Sequence, residues 1–410
     1  MVQAIKSKGL VYYLSYILIL VIFFFSYYPT RSLALLGSGV TPYFLGIVFS
    51  IICIPAFFKT RNARLIIMYI FVVFLNHFWG NKAVPTVGAA LTESIAVFLP
   101  AAVLYLVMYR RDFCFNAILL YTFLFVVTLT TVQSYFLDQM FPGLIRAVVN
   151  MEDETDVQAF FNMGLSSYQL PHALPILIPP CIMIIKKPEK MLQRIIGVVF
   201  LAVIIILVGL SQSFGAFTLA LFALFASLFV REQNVNKNIR VLLFLSLLFI
   251  ILMGETVQFA IIDFLRGFFE SGSKIDEKLA ELAVGVVNDN ISDVSGNRGN
   301  LFQATIDAII RNPILGVDDK SYGHHNALFD RWACFGLVGF IPLVLFIYYY
   351  VKETLKAIPL NLQTYYMIGV ISSLIMMTTK NMMGWFQWLC FVLILPLMFL
   401  VWKEKECNKL

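Results

Sequence analysis

Two side chains of this chain suit chemistry on a phosphorylated substrate: Arg298, closing Ser295-Gly296-Asn297-Arg298, and His325, within His324-His325-Asn326. A guanidinium offers paired donors to phosphate oxygens. Standing just before a helix expected over 301–311, it would share an anion with unpaired N–H groups and the positive end of the helix dipole. An imidazole accepts a hydroxyl proton, or gives one to a leaving oxygen, near neutral pH. His324 adjoins His325, but neighbouring helical residues point about 100° apart, so only one of them would face a shared pocket. Asp330 follows Asn326 at i+4 and can share its face. Structural roles compete with these: a loop arginine paired with Asp289 or Asp293, and a polar pair capping a helix at an interface. Asn312-Pro313-Ile314-Leu315-Gly316 and Gly336-Leu337-Val338-Gly339 complete the stretch, and Gly336 and Gly339 read most simply as sites of close helix packing.

These residues sit in or beside the one long polar segment, roughly Asp263 to Asn326, of an otherwise apolar chain. Of 410 residues, 60% are apolar, 15% aromatic and 13% charged, with a mean hydropathy of +0.84; soluble domains carry about 25% charged residues. Many runs reach the ~20 residues that cross ~30 Å of hydrocarbon. They are Leu- and Phe-rich without strict alternation, which points to helices and not to a barrel. The expected fold is therefore all-α, a polytopic transmembrane helical bundle of about twelve spans, at 11–28, 40–58, 64–79, 89–108, 113–134, 169–185, 195–210, 214–230, 241–262, 327–350, 364–380 and 385–402.

Charge supports that order. Lys59, Arg61, Arg64, Arg110, Arg111, Lys186, Lys187, Lys190, Arg194, Arg231, Lys237, Arg240, Lys352 and Lys356 fall in alternate connections, while the short connections on the other side hold almost nothing beyond Arg31, Lys82, Arg146 and Lys380. The positive-inside rule then puts both termini in the cytoplasm. The run 11–28 is expected to be a retained first helix, since no small-residue cleavage site follows it. The +6 net charge is divided among short loops and gives no nucleic-acid signal. None of the six cysteines has metal-ligand spacing, so neither a disulfide framework nor a metal or cofactor is expected. The five tryptophans fall near span ends, as an interfacial belt would have them.

The chain divides into residues 1–262, about nine spans with an outer loop over 137–168; 263–326, a long, partly helical extracytoplasmic loop; and 327–410, about three spans and a short cytoplasmic tail. The first loop carries Arg146 and the acidic run Glu152, Asp153, Glu154 and Asp156. The second contains helical spacing at 275–287 and at 301–311, where Phe302, Ile306, Ile309 and Ile310 share a face. Asn300 would cap the latter, Gln303 holds the capping-box position and Pro313 ends it. Segments this small cannot bury an apolar face alone, so they must pack on the bundle or the outer leaflet. Within the spans, Glu93, Glu255 and His77 should face the interior, most simply pairing with one another. Pro171, Pro175, Pro179 and Pro180, near His172, should break the sixth span.

Ser295-Gly296-Asn297-Arg298, an amphipathic helix, Asn312-Pro313 with Gly316, then His325-Asn326 followed after nine residues by Gly336 and by Gly339, resemble the signature of the O-antigen ligase and polymerase family. Its members are bacterial membrane glycosyltransferases of polysaccharide assembly. The likeness is specific over residues 295–340 and is supported elsewhere by span number and the position of the long loop. It implies a GT-C-like architecture and an undecaprenyl-diphosphate-linked oligosaccharide as donor. It also implies metal-independent transfer and an active site on the extracytoplasmic side of the bacterial cytoplasmic membrane. Arg298 would bind the diphosphate and stabilise the leaving group; His325 would orient or deprotonate the acceptor hydroxyl, with Asn326 and Asp330 beside it as substrate contacts. The chain departs from the pattern between the seventh and eighth spans. There Ser211-Gln212-Ser213-Phe214-Gly215-Ala216 has Phe214 where many members have arginine, so Arg146 or Arg31 would supply the second diphosphate contact.

The expected activity is that of a Wzy-like polymerase of O-antigen or capsule, passing a glycan to a lipid-linked repeat unit. The alternative is an O-antigen ligase delivering it to lipid A core. Expected partners are membrane lipids and a chain-length regulator and flippase of the same pathway. A lipid-linked sugar transporter is a more distant reading: it should show broken helices at matching positions in two halves, and only one proline-broken span is visible. A non-catalytic scaffold is the last.

Overall fold

The computed structural model describes residues 55–79, 84, 86–110, 112–148, 151, 154–229, 298–318, 326–380 and 383–402, with isolated positions besides. The expected spans at 11–28, 40–58 and 241–262 and the helix at 275–287 lie almost wholly outside these residues. Every regular element among the described residues is helical. Seven helices are long and apolar enough to cross a membrane: Val87–Tyr109, Phe113–Met140, Gln169–Lys186, Met191–Leu210, Ala327–Ala357, Leu360–Thr379 and Trp385–Trp402. Two further apolar helices match expected spans. One is α1 (Arg61–Phe78), with two arginines in its first turn; the other, Phe214–Phe229, is only 16 residues long.

Helix starts follow local chemistry. The Thr60 hydroxyl accepts the Ala63 N–H (3.1 Å) and opens α1, and the Asp112 carboxylate accepts that of Phe115 (3.2 Å) to open α3 (Phe113–Met140). Between them runs α2 (Val87–Arg110), and after α3 a short helix, α4 (Glu154–Asn162), lies in the first long loop.

The sixth expected span is broken, as its prolines require. It runs as α5 (Gln169–Ala173), a 3-10 turn (Leu174–Leu177) and α6 (Ile178–Lys186). Because 83% of it is buried, the break faces protein and not lipid. Then come α7 (Met191–Leu210), α8 (Phe214–Phe229), α9 (Arg298–Arg311), α10 (Ala327–Ala357) and α11 (Leu360–Thr379). The last span also changes geometry, from α12 (Trp385–Trp388) through a π-segment (Leu389–Ile394) to α13 (Leu395–Trp402). The two irregular spans pack together, α5 on α12 and the 3-10 turn on the π-segment. The Tyr350 hydroxyl donates to the π-segment's Val392 carbonyl at 2.8 Å, an acceptor that Pro396, four residues on and without an N–H, cannot serve. Irregular spans thus occur in both halves of the chain, the sixth marked by four prolines and the last carrying Pro396.

The last span forms the centre of the bundle, 89% buried against 33% for α7. This overturns the interfacial reading for two tryptophans: Trp388 and Trp402 are fully buried, whereas Trp79, at the end of α1, is 76% exposed. Position near a span end says nothing about which neighbours surround that end, and here α3, α6 and α11 pack against α13.

The described basic residues expected inside gather at one end of the bundle, where Lys186 donates to the Ser227 and Leu228 carbonyls and closes the C-terminus of α8. The opposite end carries the turns at 141–148, 163–168, 211–213, 312–317 and 380–384, and with them the candidate site.

Candidate functional site

The motif spacing of the 312–339 stretch has a mechanical purpose. In α10 the backbone leaves the helix at Gly336 (φ 59°, ψ −172°). The N–H groups of Leu337 and Val338, which would otherwise bond back along α10, donate instead to the carbonyls of Pro313 (2.8 Å) and Ile314 (3.2 Å). The Ala333 carbonyl freed by the same break accepts the Val317 N–H at 2.8 Å. The 313–317 turn therefore plugs the break and satisfies its backbone. Both glycines that meet there, Gly316 (φ 81°) and Gly336, have left-handed backbones, and a Cβ on either would run into the other segment's main chain. Gly339 is the packing glycine, set against Val72 of α1 and Phe335; Gly336 is instead the break itself.

α9 begins at Arg298, a turn earlier than expected, so Asn300 lies inside the helix and does not cap it. Gln303 donates to Asp307 (2.8 Å) along the exposed face and not back to a cap. A cap preference of about 1 kcal/mol yields here to an added turn of backbone bonds. The buried face is rotated too: Thr305, Ala308 and Ile309 are buried, while Phe302 and Ile310 are exposed.

Asp330 fastens α9 to α10. One carboxylate oxygen accepts from the Thr305 hydroxyl (3.0 Å) and the other from the Asn326 N–H (3.0 Å), and the residue is 1% exposed. With both oxygens engaged and no open face, it positions Asn326, the residue directly after His325. The Ala327 N–H is held by the Lys380 carbonyl at 3.1 Å, fixing the same turn to the end of α11.

The neighbouring Arg331 answers the question of how Glu93 is tolerated in a span. Its Nε and a terminal nitrogen form a bidentate pair with Glu93 (2.8 and 2.7 Å), and the buried Tyr69 hydroxyl donates to the same carboxylate at 2.6 Å. The expected pairing of Glu93 with His77 is thereby corrected, His77 bonding the Val84 carbonyl through Nδ1 (2.8 Å); Glu255 lies outside the described residues. The only sequence signal for this clamp was an arginine in the first turns of an apolar helix.

A second cluster surrounds the 211–213 turn between α7 and α8. Gln212 holds a left-handed backbone (φ 49°), which costs about 1–2 kcal/mol for a non-glycine residue. Its carbonyl accepts from Arg146 at 3.2 Å. Arg146, in a single helical turn at Leu144–Ala147, thus reaches the backbone two residues before Phe214. The turn is held from below by a buried dyad, Ser213 Oγ to His172 Nε2 at 2.7 Å. His172 Nδ1 bonds the Tyr168 carbonyl (2.8 Å), which can only accept, so Nδ1 carries the proton and a neutral ring's Nε2 accepts from Ser213. Sequence reasoning named His172 and Ser213 but did not join them.

Arg31 and His325 lie outside the described residues, and of Arg298 only the backbone is described. The elements carrying Arg298 and the turn after His325 meet through Thr305 and Asp330 at the same end of the bundle as Arg146. Among the described residues no group of acidic, histidine and cysteine side chains could hold a metal. No family model, curated protein or solved structure matches the chain.

Proposed function

We propose that this chain is a metal-independent membrane glycosyltransferase of the surface-polysaccharide polymerase kind. It takes a glycan from an undecaprenyl-diphosphate carrier and adds it to a lipid-linked repeat unit, on the outer side of a bacterial cytoplasmic membrane. The chain would span that membrane twelve times with both termini inside. The observation that carries this reading is the seating of the 312–317 turn in the α10 break, which joins the helix begun by Arg298 to the turn that follows His325. The described parts of the resemblance-bearing stretch, 298–318 and 326–339, pack as one unit, a support for positioning a guanidinium and an imidazole.

In the reaction the acceptor hydroxyl attacks the anomeric carbon and gives its proton to the His325 imidazole. The bond from that carbon to the diphosphate oxygen breaks, and the electron pair leaves on a diphosphate stabilised by Arg298. Arg146 takes the position of the arginine missing at Phe214, since it already bonds the Gln212 carbonyl in that turn. With an arginine supplied from Arg146, the phenylalanine at 214 does not separate a polymerase from an O-antigen ligase. The irregular spans facing each other from the two halves favour the transporter as a second reading.

Purified protein supplied with a lipid-diphosphate oligosaccharide, with and without lipid A core, tests all three. A polymerase yields a ladder of longer lipid-linked products; a ligase extends only lipid A core; a transporter forms no new glycosidic bond. Arg298→Ala and His325→Ala should abolish the ladder with protein still in the membrane, and wild-type product from either variant removes these residues from the mechanism.

A further inference from the structure

At the basic end of the bundle, far from the site above, α1, α2 and α10 enclose a cavity of about 280 Å3. Leu104, Tyr105, Met108 and Phe346 form an apolar wall, while Arg61, Asn62 and Glu353 supply the polar lining. Glu353 accepts from the Asn62 amide nitrogen at 2.7 Å. That bond leaves Asn62 Oδ1 buried with no hydrogen-bond partner, an acceptor that still needs a donor. The Arg61 guanidinium lies over the Tyr349 ring at 4.3 Å and makes no ion pair among the described residues.

The lining therefore asks for three things at once. Asn62 Oδ1 and the Glu353 carboxylate suit a donor bearing positive charge, Arg61 suits an anion, and the wall suits hydrocarbon. A primary ammonium has three donors and a phosphate matches a guanidinium. At ~30 Å3 per water, the space holds about nine waters, enough for a small zwitterionic headgroup but not for the chains attached to it. We infer that this cavity binds the headgroup of an ethanolamine-type phospholipid, ammonium on Asn62 and Glu353 and phosphate on Arg61. Its acyl chains then leave along the exposed apolar faces of the helices. Choline lipids bind less well because a trimethylated nitrogen has no N–H to donate, and glycerol lipids because their hydroxyls offer Asn62 and Glu353 only neutral donors.

The inference does not depend on the glycosyltransferase reading. Full-length protein is reconstituted in nanodiscs containing equimolar ethanolamine, choline and glycerol phospholipids, then extracted and its retained lipid weighed by native mass spectrometry. The ethanolamine lipid should be retained about tenfold over each of the others, the ratio that loss of one charge-assisted hydrogen bond produces. Glu353→Gln should erase the preference over choline lipid, and Arg61→Gln should lower retention of the ethanolamine lipid. Equal retention of all three lipids by the unmodified chain overturns the assignment without any variant, as does a preference that survives both substitutions. Soluble phosphoethanolamine should compete poorly for want of chains; full displacement by it would make the site one for a free metabolite and end the lipid assignment.

Discussion

Glu93 and Arg331 keep only 18% and 19% of their side-chain exposure, so their pairing is a question of desolvation as much as attraction. Taking two charges out of water roughly offsets what their contact returns, whereas stranding one of them is expensive. Arg331→Met should therefore destabilise the protein by roughly 3 kcal/mol, the low end for a broken buried pair because some solvent reaches this one. The double variant Glu93→Leu with Arg331→Met should recover most of that loss. Thermal unfolding in detergent decides it: a double variant no more stable than the single would show that the clamp is not held by this charge balance. Asp330 and Thr305 act at the same scale but through a neutral donor. Their bond ties α9 to the first turn of α10.

Elements meet here through backbone as much as through side chains. Transmembrane helices gain little from hydrophobic burial against one another, so close approach and shared hydrogen bonds decide their packing. Gly336→Ala adds a Cβ against the Ile314 main chain and strains a left-handed backbone, and neither can relax without expelling the 313–317 turn. Gly339→Ala meets only the Phe335 and Val72 side chains, which can shift. Gly336→Ala should lower Tm clearly more than Gly339→Ala and open the 312–318 segment to protease; equal effects would mean that the plugged break contributes nothing special. The sequence showed both glycines but led to packing for each, because a break in α10 needs a partner turn that only the fold brings near.

For the molecule as a whole, the segregation of charge between the two ends implies a fixed orientation in the membrane. In a cysteine-free background, Asp156→Cys and Asp318→Cys, both exposed at the candidate-site end, should react with an impermeant maleimide on intact cells. Lys187→Cys and Lys356→Cys, exposed at the other end, should react only after permeabilisation. The reverse pattern would place the candidate site in the cytoplasm, where a carrier-linked glycan awaiting polymerisation is not found, and the proposed function would fail with it.

Hydropathy, proline positions and the spacing of polar motifs are properties of short stretches, and what depended on them was readable in the chain: the all-helical apolar bundle, the broken sixth span, a helix near 301–311 ending at Pro313. Partners distant in sequence were not readable. The pairing of Glu93 with Arg331, the reach of Arg146 to the Gln212 carbonyl, the dyad of His172 and Ser213, and the burial of Trp388 and Trp402 each depend on which helix faces which. Membrane helices of similar composition can exchange neighbours without changing their local pattern, so packing alone selected among those arrangements.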